Sequence, residues 1–350
     1  MSAEVRISVI ISTWNRASYL PDCLRSLAAQ QSELPHEVIV VDNGSDDATP
    51  ELLARWCSEH PEFRTKREER PGISRGMNAG IRMARAPLLL FTDDDVVVPP
   101  GWIHAYAEFF SRHPMETVVA GGPLIPIPED LGDWPSWLDT RALIDMGTLD
   151  HQVERELHPP DYVFGNNMAV PATVFSRLGM WNEDLGYTPT DRSTFEDTEL
   201  QDRVWAAGGS VWFCPDAPIE HRVSRERSSP GVLLQNAFAR GRNDFWKEVR
   251  VSRGDLSLAP QSGLVRGLAS LGGNLMMEGL AVGWFRLKHR ARSLEQARRA
   301  AWRSGRSFEK LRPGRDRTRW YGRIGRVTFL IRDALFALAP RIGGGDPGGS

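Results

Sequence analysis

The chain has 350 residues, 41% of them hydrophobic and 25% charged, with a formal net charge of −2. Those fractions belong to a folded, water-compatible chain and exclude a disordered tail, a collagen and a multi-span membrane protein; the length fits two domains, or one large α/β domain with an appendage. Three cysteines, Cys23, Cys57 and Cys214, share no close spacing, which excludes a disulfide framework and a Cys-rich zinc site. Glu4 and Arg6 precede only a short apolar run, and no small-residue cleavage site follows. No signal peptide is read, so a cytoplasmic location is expected. The net charge hides an asymmetry: residues 286–332 hold 16 Lys and Arg against Glu295, Glu309 and Asp316. Such a segment suits an anionic partner surface, or else is a solvated helical face.

The first third alternates short apolar runs with helical patterns. Arg6–Ser12 is rich in β-branched residues and predicts a buried strand. Tyr19–Gln30 sets Leu20, Cys23, Leu24 and Leu27 on one helical face. A strand is predicted at Val38–Val41, a helix at Thr49–Glu59, a weak strand at Phe63–Lys66 and a helix at Asn78–Ala86. Then follow a strand at Leu88–Phe91, a helix at Gly101–Arg112 and a strand at Thr117–Ala120. This alternation predicts an α/β fold with a mostly parallel sheet and helices on both faces. Gly121–Pro160, rich in Pro and holding Trp134 and Trp137, reads as one long functional loop. Beyond it come a strand at Tyr162–Val170, helices at Ala172–Leu178 and Glu196–Ala207, and a strand at Ser210–Cys214. The expected division is a domain over 1–228, with a donor part at 1–121 and an acceptor part at 122–228, then a helical basic region over 229–342 and a disordered Gly-rich tail at 343–350. Leu264–Leu287 is broken by Arg266, Asn274 and Glu278, and Val327–Ala339 by Arg332 and Asp333. Neither offers the ~18–20 uninterrupted apolar residues of a membrane span.

In an open parallel sheet, ligands bind beyond the carboxyl ends of the strands. Ser12-Thr13-Trp14-Asn15-Arg16 follows the first strand, Asp42-Asn43 the second, and Asp93-Asp94-Asp95 the strand Leu88–Phe91. Adjacent carboxylates repel unless a cation or solvent compensates. Extended geometry turns Asp93 and Asp95 the same way and Asp94 the other, and two oxygens on one side suit Mg²⁺ or Mn²⁺. The bland alternative is a solvated turn before Pro99-Pro100. Glu196-Asp197 opens a helix, as a dipole cap or as a general base. His221, in Ile219-Glu220-His221-Arg222, is read as following a strand, where it is structural or completes a carboxylate metal site. Gly72-Ile73-Ser74-Arg75-Gly76 fits a nucleophile elbow, but Lys66-Arg67-Glu68-Glu69-Arg70-Pro71 before it is no buried strand. Neither a Walker-type loop nor G-x-G-x-x-G follows the first strand.

Together these segments resemble the family 2 glycosyltransferases, whose fold is GT-A. Val9-Ile10-Ile11-Ser12-Thr13-Trp14-Asn15-Arg16 is similar to the family's first strand and P-T-Y-N-R-like loop, and Val40-Val41-Asp42-Asn43-Gly44-Ser45-Asp46-Asp47 to its V-D-D/N-G-S-x-D turn. Gly72 through Asn78-Ala79-Gly80 is similar to G-x-x-x-A-R-N-x-G, and Phe91-Thr92-Asp93-Asp94-Asp95 to the D-x-D strand end. Phe164-Gly165-Asn166-Asn167-Met168-Ala169 resembles the acceptor-side strand, Gly179-Met180-Trp181-Asn182-Glu183 the G-G-F-D-E turn, and Glu196-Asp197-Thr198-Glu199-Leu200 the E-D-x-E-L helix start. The sequence departs at Met77, where the family has Arg, and at Val170-Pro171, where an Arg is usual.

The resemblance implies an inverting, metal-dependent transfer of a sugar from a nucleoside-diphosphate sugar, most commonly UDP-linked, to a hydroxyl acceptor such as a glycan, a lipid-linked group or a natural product. Thr13, Asn15, Arg16, Asp42, Arg75, Asn78, Asp93 and Asp94 would meet the donor, with Arg75 standing in for the missing Arg. Asp93, Asp95 and His221 would hold Mn²⁺ or Mg²⁺. Asn166, Asn167, Glu196 and Trp181 would line the acceptor side, and Asp197 would be the base. Trp134, Trp137 and Trp181 stack on sugar or anchor loops. Competing readings are a nucleotidyltransferase and a non-catalytic module that binds an anionic or membrane surface through 286–332. For the enzyme no nucleic-acid partner is expected; the C-terminal helices are read as docking on anionic membrane, covering the acceptor cleft or forming a homodimer.

Overall fold

The computed structural model describes residues 4–113, 116, 118–129, 132, 134, 138, 153–159, 161–188 and 195–224, with isolated positions at 228, 232, 233, 237, 299 and 301–303. The expected helices over 229–342, the tail at 343–350 and Trp137 lie outside the described residues, apart from those isolated positions. Two units divide the chain: Met1–Ile127 with Met146–Val223, and Pro128–Asp145 with Ser224–Ser350. Among the described residues no helix is long and apolar enough to cross a membrane.

The first unit begins β1 (Ile7–Thr13), α1 (Leu20–Ala28), β2 (His36–Asp42), α2 (Thr49–Glu59), β3 (Phe63–Arg67), α3 (Ile73–Met83), β4 (Leu88–Thr92), β5 (Val96–Val97), α4 (Trp102–Arg112) and β6 (Val118–Gly121). It continues with β7 (Leu124–Pro128), β8 (Arg155–Leu157), β9 (Asn167–Pro171), α5 (Ala172–Leu178), α6 (Glu196–Ala206), β10 (Ser210–Phe213) and β11 (Ile219–Val223). Eight strands form one sheet in the order β3-β2-β1-β4-β9-β6-β10-β8, and β5-β11-β7 form a small second sheet. Strands β3, β2, β1 and β4 run parallel, as do β6 and β10. Strand β9 is inserted antiparallel between β4 and β6, and β8 lies antiparallel on β10.

Period-two alternation sorts the core. On β1, Val9 and Ile11 face a layer formed by α1, α2 and α4 (Leu24, Leu53, Trp102, Tyr106, Phe109), whereas Ile10 faces the opposite layer. Leu89 and Phe91 of β4 join that second layer with Met77 of α3, Val174 and Phe175 of α5, and Leu200 and Val204 of α6. Each such side chain stabilises by about 1.5–3 kcal/mol on burial, which outweighs any local propensity. Helix α3 approaches β1 closely because it presents glycine. A Cβ on Gly80 would sit 2.4 Å from Ile10 Cγ2, and one on Gly76 would sit 2.0 Å from Ser12 Oγ.

At the amino-terminal edge of β2, Glu37 is 1% exposed and tightly paired. Arg64 Nη1 donates to it at 2.8 Å and Arg85 Nη2 at 2.7 Å, and Ser8 Oγ donates to its other oxygen at 2.8 Å. Burial pushes this carboxyl upward, but hydrogen bonds from Arg85, Arg64 and Ser8 win and hold it at about 2.

Several elements differ from the sequence reading. Helix α3 starts at Ile73, not Asn78, because Pro71-Gly72 is its entry rather than part of a loop. The stretch Gly121–Pro160 is no single loop: β7 and β8 lie within it. Strand β9 begins at Asn167, not Tyr162, and His221 lies within β11 rather than after a strand.

Gly80→Ala is expected to lower the unfolding free energy by about 1–3 kcal/mol through overpacking against Ile10. Urea unfolding checks this, and the added substitution Ile10→Ala should recover part of the loss.

Candidate active site

Adjacent parallel strands end together and build a rim. The register aligns Thr13 with Asp42, and Asp42 with Arg67. Asp42 is 3% exposed; its Oδ1 accepts from Ser45 N at 2.9 Å and its Oδ2 from Arg67 Nη1 at 2.6 Å. Arg67 was missed in the sequence because the third strand is short and polar; its place across from Asp42 was the available signal. On the next strand, β4 ends at Thr92 and the chain turns through Asp93, Asp94 and Asp95 before β5.

That turn corrects the expected alternation. Asp94 and Asp95 share one partner, Arg16, whose Nε lies 3.5 Å from Asp94 Oδ1 and whose Nη2 lies 3.5 Å from Asp95 Oδ2. Strand geometry stops at Thr92, so the side chains do not follow a pleat. His221 Nε2 is 3.4 Å from Asp95 Oδ1, both side chains being buried. Arg222 N donates to Asp95 O at 2.9 Å, which fastens the turn to β11. Burial, then the charge of Asp95, pushes the Asp94 carboxyl up to about 7, while Arg16 and a Thr13 hydrogen bond pull the other way.

The second acidic group reaches this rim through β9. Thr92 pairs with Asn167, which sets Asn166 and Gly165 beside Asp93. Gly165 N then donates to Asp197 Oδ2 at 3.1 Å, and Thr198 N donates to its Oδ1 at 2.7 Å. Burial raises the Asp197 carboxyl, opposed by those two backbone donors. Glu196 Oε2 accepts from Phe195 N at 2.9 Å. Burial first, then Asp197 and more weakly Asp93, pushes Glu196 up to about 8. The Asp93 contribution means that the first turn of α6 and the acid turn lie within electrostatic reach of each other. Asn166 Oδ1 is buried beside this junction with no hydrogen-bond partner among the described residues, so a ligand hydroxyl or amide would satisfy it.

Other expected contacts are used inside the protein. Asn167 is fully buried: its Oδ1 accepts from Trp102 Nε1 at 2.9 Å and Tyr106 Oη at 2.8 Å, while its Nδ2 donates to Pro123 O and Ala217 O. It is a scaffold residue and does not line an acceptor surface. Trp181 is 4% exposed and packs edge-on to Phe91, so it belongs to the core rather than a sugar platform. Asn78 exchanges hydrogen bonds with the Trp181 backbone at 2.9 and 3.0 Å. Arg75 binds Pro71 O at 2.9 Å and lies 3.4 Å from Glu183, and Arg70 is also 3.4 Å from Glu183. Glu183, quoted in a motif but given no role, is therefore where the start of α3 is stapled to the 181–188 segment. Asn15, at φ 54°, closes a reciprocal pair with Asp46 at 2.6 and 2.9 Å and shapes the loop. Trp14 beside it is 39% exposed at the rim.

Residues 8–170 match the profile of glycosyl transferase family 2. The chain is 30% identical over 226 residues to validoxylamine A glucosyltransferase from Streptomyces hygroscopicus subsp. jinggangensis (strain 5008), covering 58% of this chain and 52% of that protein. The chain thus spans about half the length of that relative. Among solved structures it is similar to a mannosyltransferase from Pyrobaculum calidifontis in complex with GDP-Man and Mn²⁺, with a TM-score of 0.57, 18% identity, and 89% and 88% of the two chains covered. It is also similar to GalNAc-T7 with UDP, GalNAc and Mn²⁺, with a TM-score of 0.51, 17% identity, and 72% and 51% covered. The fold is of the GT-A type, and residues 8–170 carry the likeness to glycosyl transferase family 2.

The carboxyl shifts give a signed pH prediction. Folded, Glu196 keeps its proton to about pH 8; unfolded, it loses it near 4.5. Between those values the native state binds more protons, so stability falls as pH rises. Glu196→Gln should flatten this fall and raise Tm at pH 8 relative to the parent, measured by thermal melting of the ligand-free protein across that range.

Proposed function

We propose that the protein is an inverting, divalent-metal-dependent glycosyltransferase that moves a sugar from a nucleoside-diphosphate donor to a hydroxyl acceptor. The observation that carries the reading is the Thr92–Asn167 pairing, which sets the acid turn beside the segment whose Gly165 N–H holds Asp197. The nucleoside would lie along Thr13, Asp42 and Arg67, with exposed Trp14 available to stack on the base. UDP leads the donor panel. GDP stands beside it because the archaeal mannosyltransferase binds GDP-Man, and a glucosyl group is tested first because the Streptomyces relative is a glucosyltransferase.

The donor set suits a hard cation. Asp95 and His221, 3.4 Å apart, would supply a carboxylate oxygen and an imidazole, and Asp93 a second carboxylate. Among the described residues no group of three or more His, Cys, Asp or Glu is placed to hold a metal ion by itself, so diphosphate oxygens would have to supply the remaining ligands. Held there, Mn²⁺ or Mg²⁺ would offset the negative charge that develops on the leaving diphosphate. Asp197, fixed by its two backbone donors, takes the proton from the acceptor hydroxyl. The oxygen then attacks the anomeric carbon opposite the diphosphate through an oxocarbenium-like transition state, inverting its configuration.

Asp197→Asn is expected to slow transfer by about 10²–10⁴-fold while leaving the nucleotide-induced rise in Tm in place. Asp95→Ala should abolish the part of that rise that depends on Mn²⁺. Normal sugar transfer by either variant overturns the reading. A nucleotide-sugar panel with product analysis fixes donor, acceptor and anomeric outcome.

The excess of 13 positive charges in residues 286–332 supports a second element of the proposal. That segment would bring the enzyme to an anionic membrane face, where lipid-linked acceptors reside. Co-sedimentation with phosphatidylserine vesicles at low salt, lost at high salt, is the expected result.

A further inference from the structure

We infer that Arg16 is a resident counter-cation of the acid turn, which keeps a divalent ion out until a donor diphosphate draws the guanidinium away, so that metal binding follows nucleotide binding. This rests on the reading of the acid turn as the donor diphosphate site.

The geometry is that of a pinned lever. The Arg16 backbone is fixed at both ends: its N–H donates to Thr49 Oγ1 at 3.1 Å, and its carbonyl accepts from Tyr19 N and Leu20 N at 3.0 Å. The side chain is 31% exposed, and its guanidinium lies over the Tyr19 ring, 4.8 Å from the centroid. It divides itself between Asp94 and Asp95 at 3.5 Å each, although both carboxylates are buried. Charge-assisted pairs that lock a structure close to about 2.7–2.9 Å, as Arg64 and Arg85 do on Glu37 at 2.8 and 2.7 Å. Arg16 therefore neutralises the turn without being bound into it.

Two consequences follow from the charges. A dication approaching Asp95 meets a positive group already there, and repulsion at this range in a poorly solvated turn is large. A diphosphate offers the planar guanidinium paired oxygens, a better partner than two carboxylates at long range. When Arg16 turns to the diphosphate, with the Tyr19 ring as its shelf, Asp95 loses that counter-charge and could then hold a divalent ion. His221 lies 3.4 Å from the other oxygen of Asp95, Oδ1.

The test is Mn²⁺ binding by electron paramagnetic resonance, on the full chain, with and without UDP or GDP. The parent should bind Mn²⁺ weakly alone and about tenfold or more tightly with nucleotide. Arg16→Gln should bind Mn²⁺ alone about tenfold or more tightly than the parent, with a reduced dependence on nucleotide. Arg16→Lys, which keeps the charge, should stay near the parent. Tyr19→Leu, which removes only the shelf, should shift in the same direction as Arg16→Gln by less, and gives a second readout if Arg16→Gln folds poorly. Parental Mn²⁺ binding that needs nucleotide, with no gain in Arg16→Gln or Tyr19→Leu, overturns the inference and leaves the donor-site reading standing. No Mn²⁺ binding by the parent at saturating UDP or GDP overturns both.

Discussion

The antiparallel pairing of Thr92 with Asn167 is the constraint on which the site depends. A parallel strand delivers the acid turn to the rim, and the next strand starts from that same rim, so residues 75 positions apart in the chain become neighbours. A one-residue slip would turn every β9 side chain to the other face. Asn167 opposes that slip with four hydrogen-bonding partners that no other register supplies: Trp102, Tyr106, Pro123 and Ala217. Its polar side chain in the middle of the core is the lock that sets Asp93 beside the Gly165 anchor of Asp197.

Charge is distributed unequally along the sheet. Glu37, at one edge, has more partners than it needs and is held far below the ordinary carboxylate range. At the opposite rim Asp94, Glu196 and Asp197 are all pushed upward by burial, with repulsion from a neighbouring carboxylate added for Asp94 and Glu196; Arg16 opposes it at Asp94, and backbone N–H groups oppose it at Glu196 and Asp197. Such under-compensation costs stability in the empty protein and gives a reason to bind cationic and hydroxyl-bearing ligands. The excess is confined to a turn and a helix start, so the packed layers beneath are not disturbed by it.

The order of the larger strands and helices was legible because their apolar runs alternate cleanly, whereas β5, β7, β8 and β11 were not read as strands. Ile10 against Val9 and Ile11, or Leu89 against Leu88 and Leu90, already assigns the two faces of the sheet. The acid clusters and their rim position were legible too, since they follow apolar strands. What was hidden depends on partners distant in sequence. Asn78, Asn167 and Trp181 carry motif-like signatures, yet each is bonded or packed across 60 or more residues and serves the scaffold. Arg75 looked like a substitute for a missing donor contact, but Glu183 and Pro71 claim it. The Asp93–Asp95 alternation failed for a local reason: pleat rules end where β4 does. Strand β3 hid Arg67, because a polar edge strand carries little period-two signal.

The Glu37 cluster joins Ser8 on β1, Arg64 on β3 and Arg85 in the connection after α3 through a single carboxylate. Three separate stretches of chain are thereby riveted at the edge farthest from the chemistry. The rim loops hang from the other edge and contribute nothing to that rivet. A scaffold made this way is a chassis for transplantation: segments such as 14–16 and 93–95 can be exchanged for those of other proteins with the sheet's foundation left intact, so new substrate preferences need not be accompanied by a new fold.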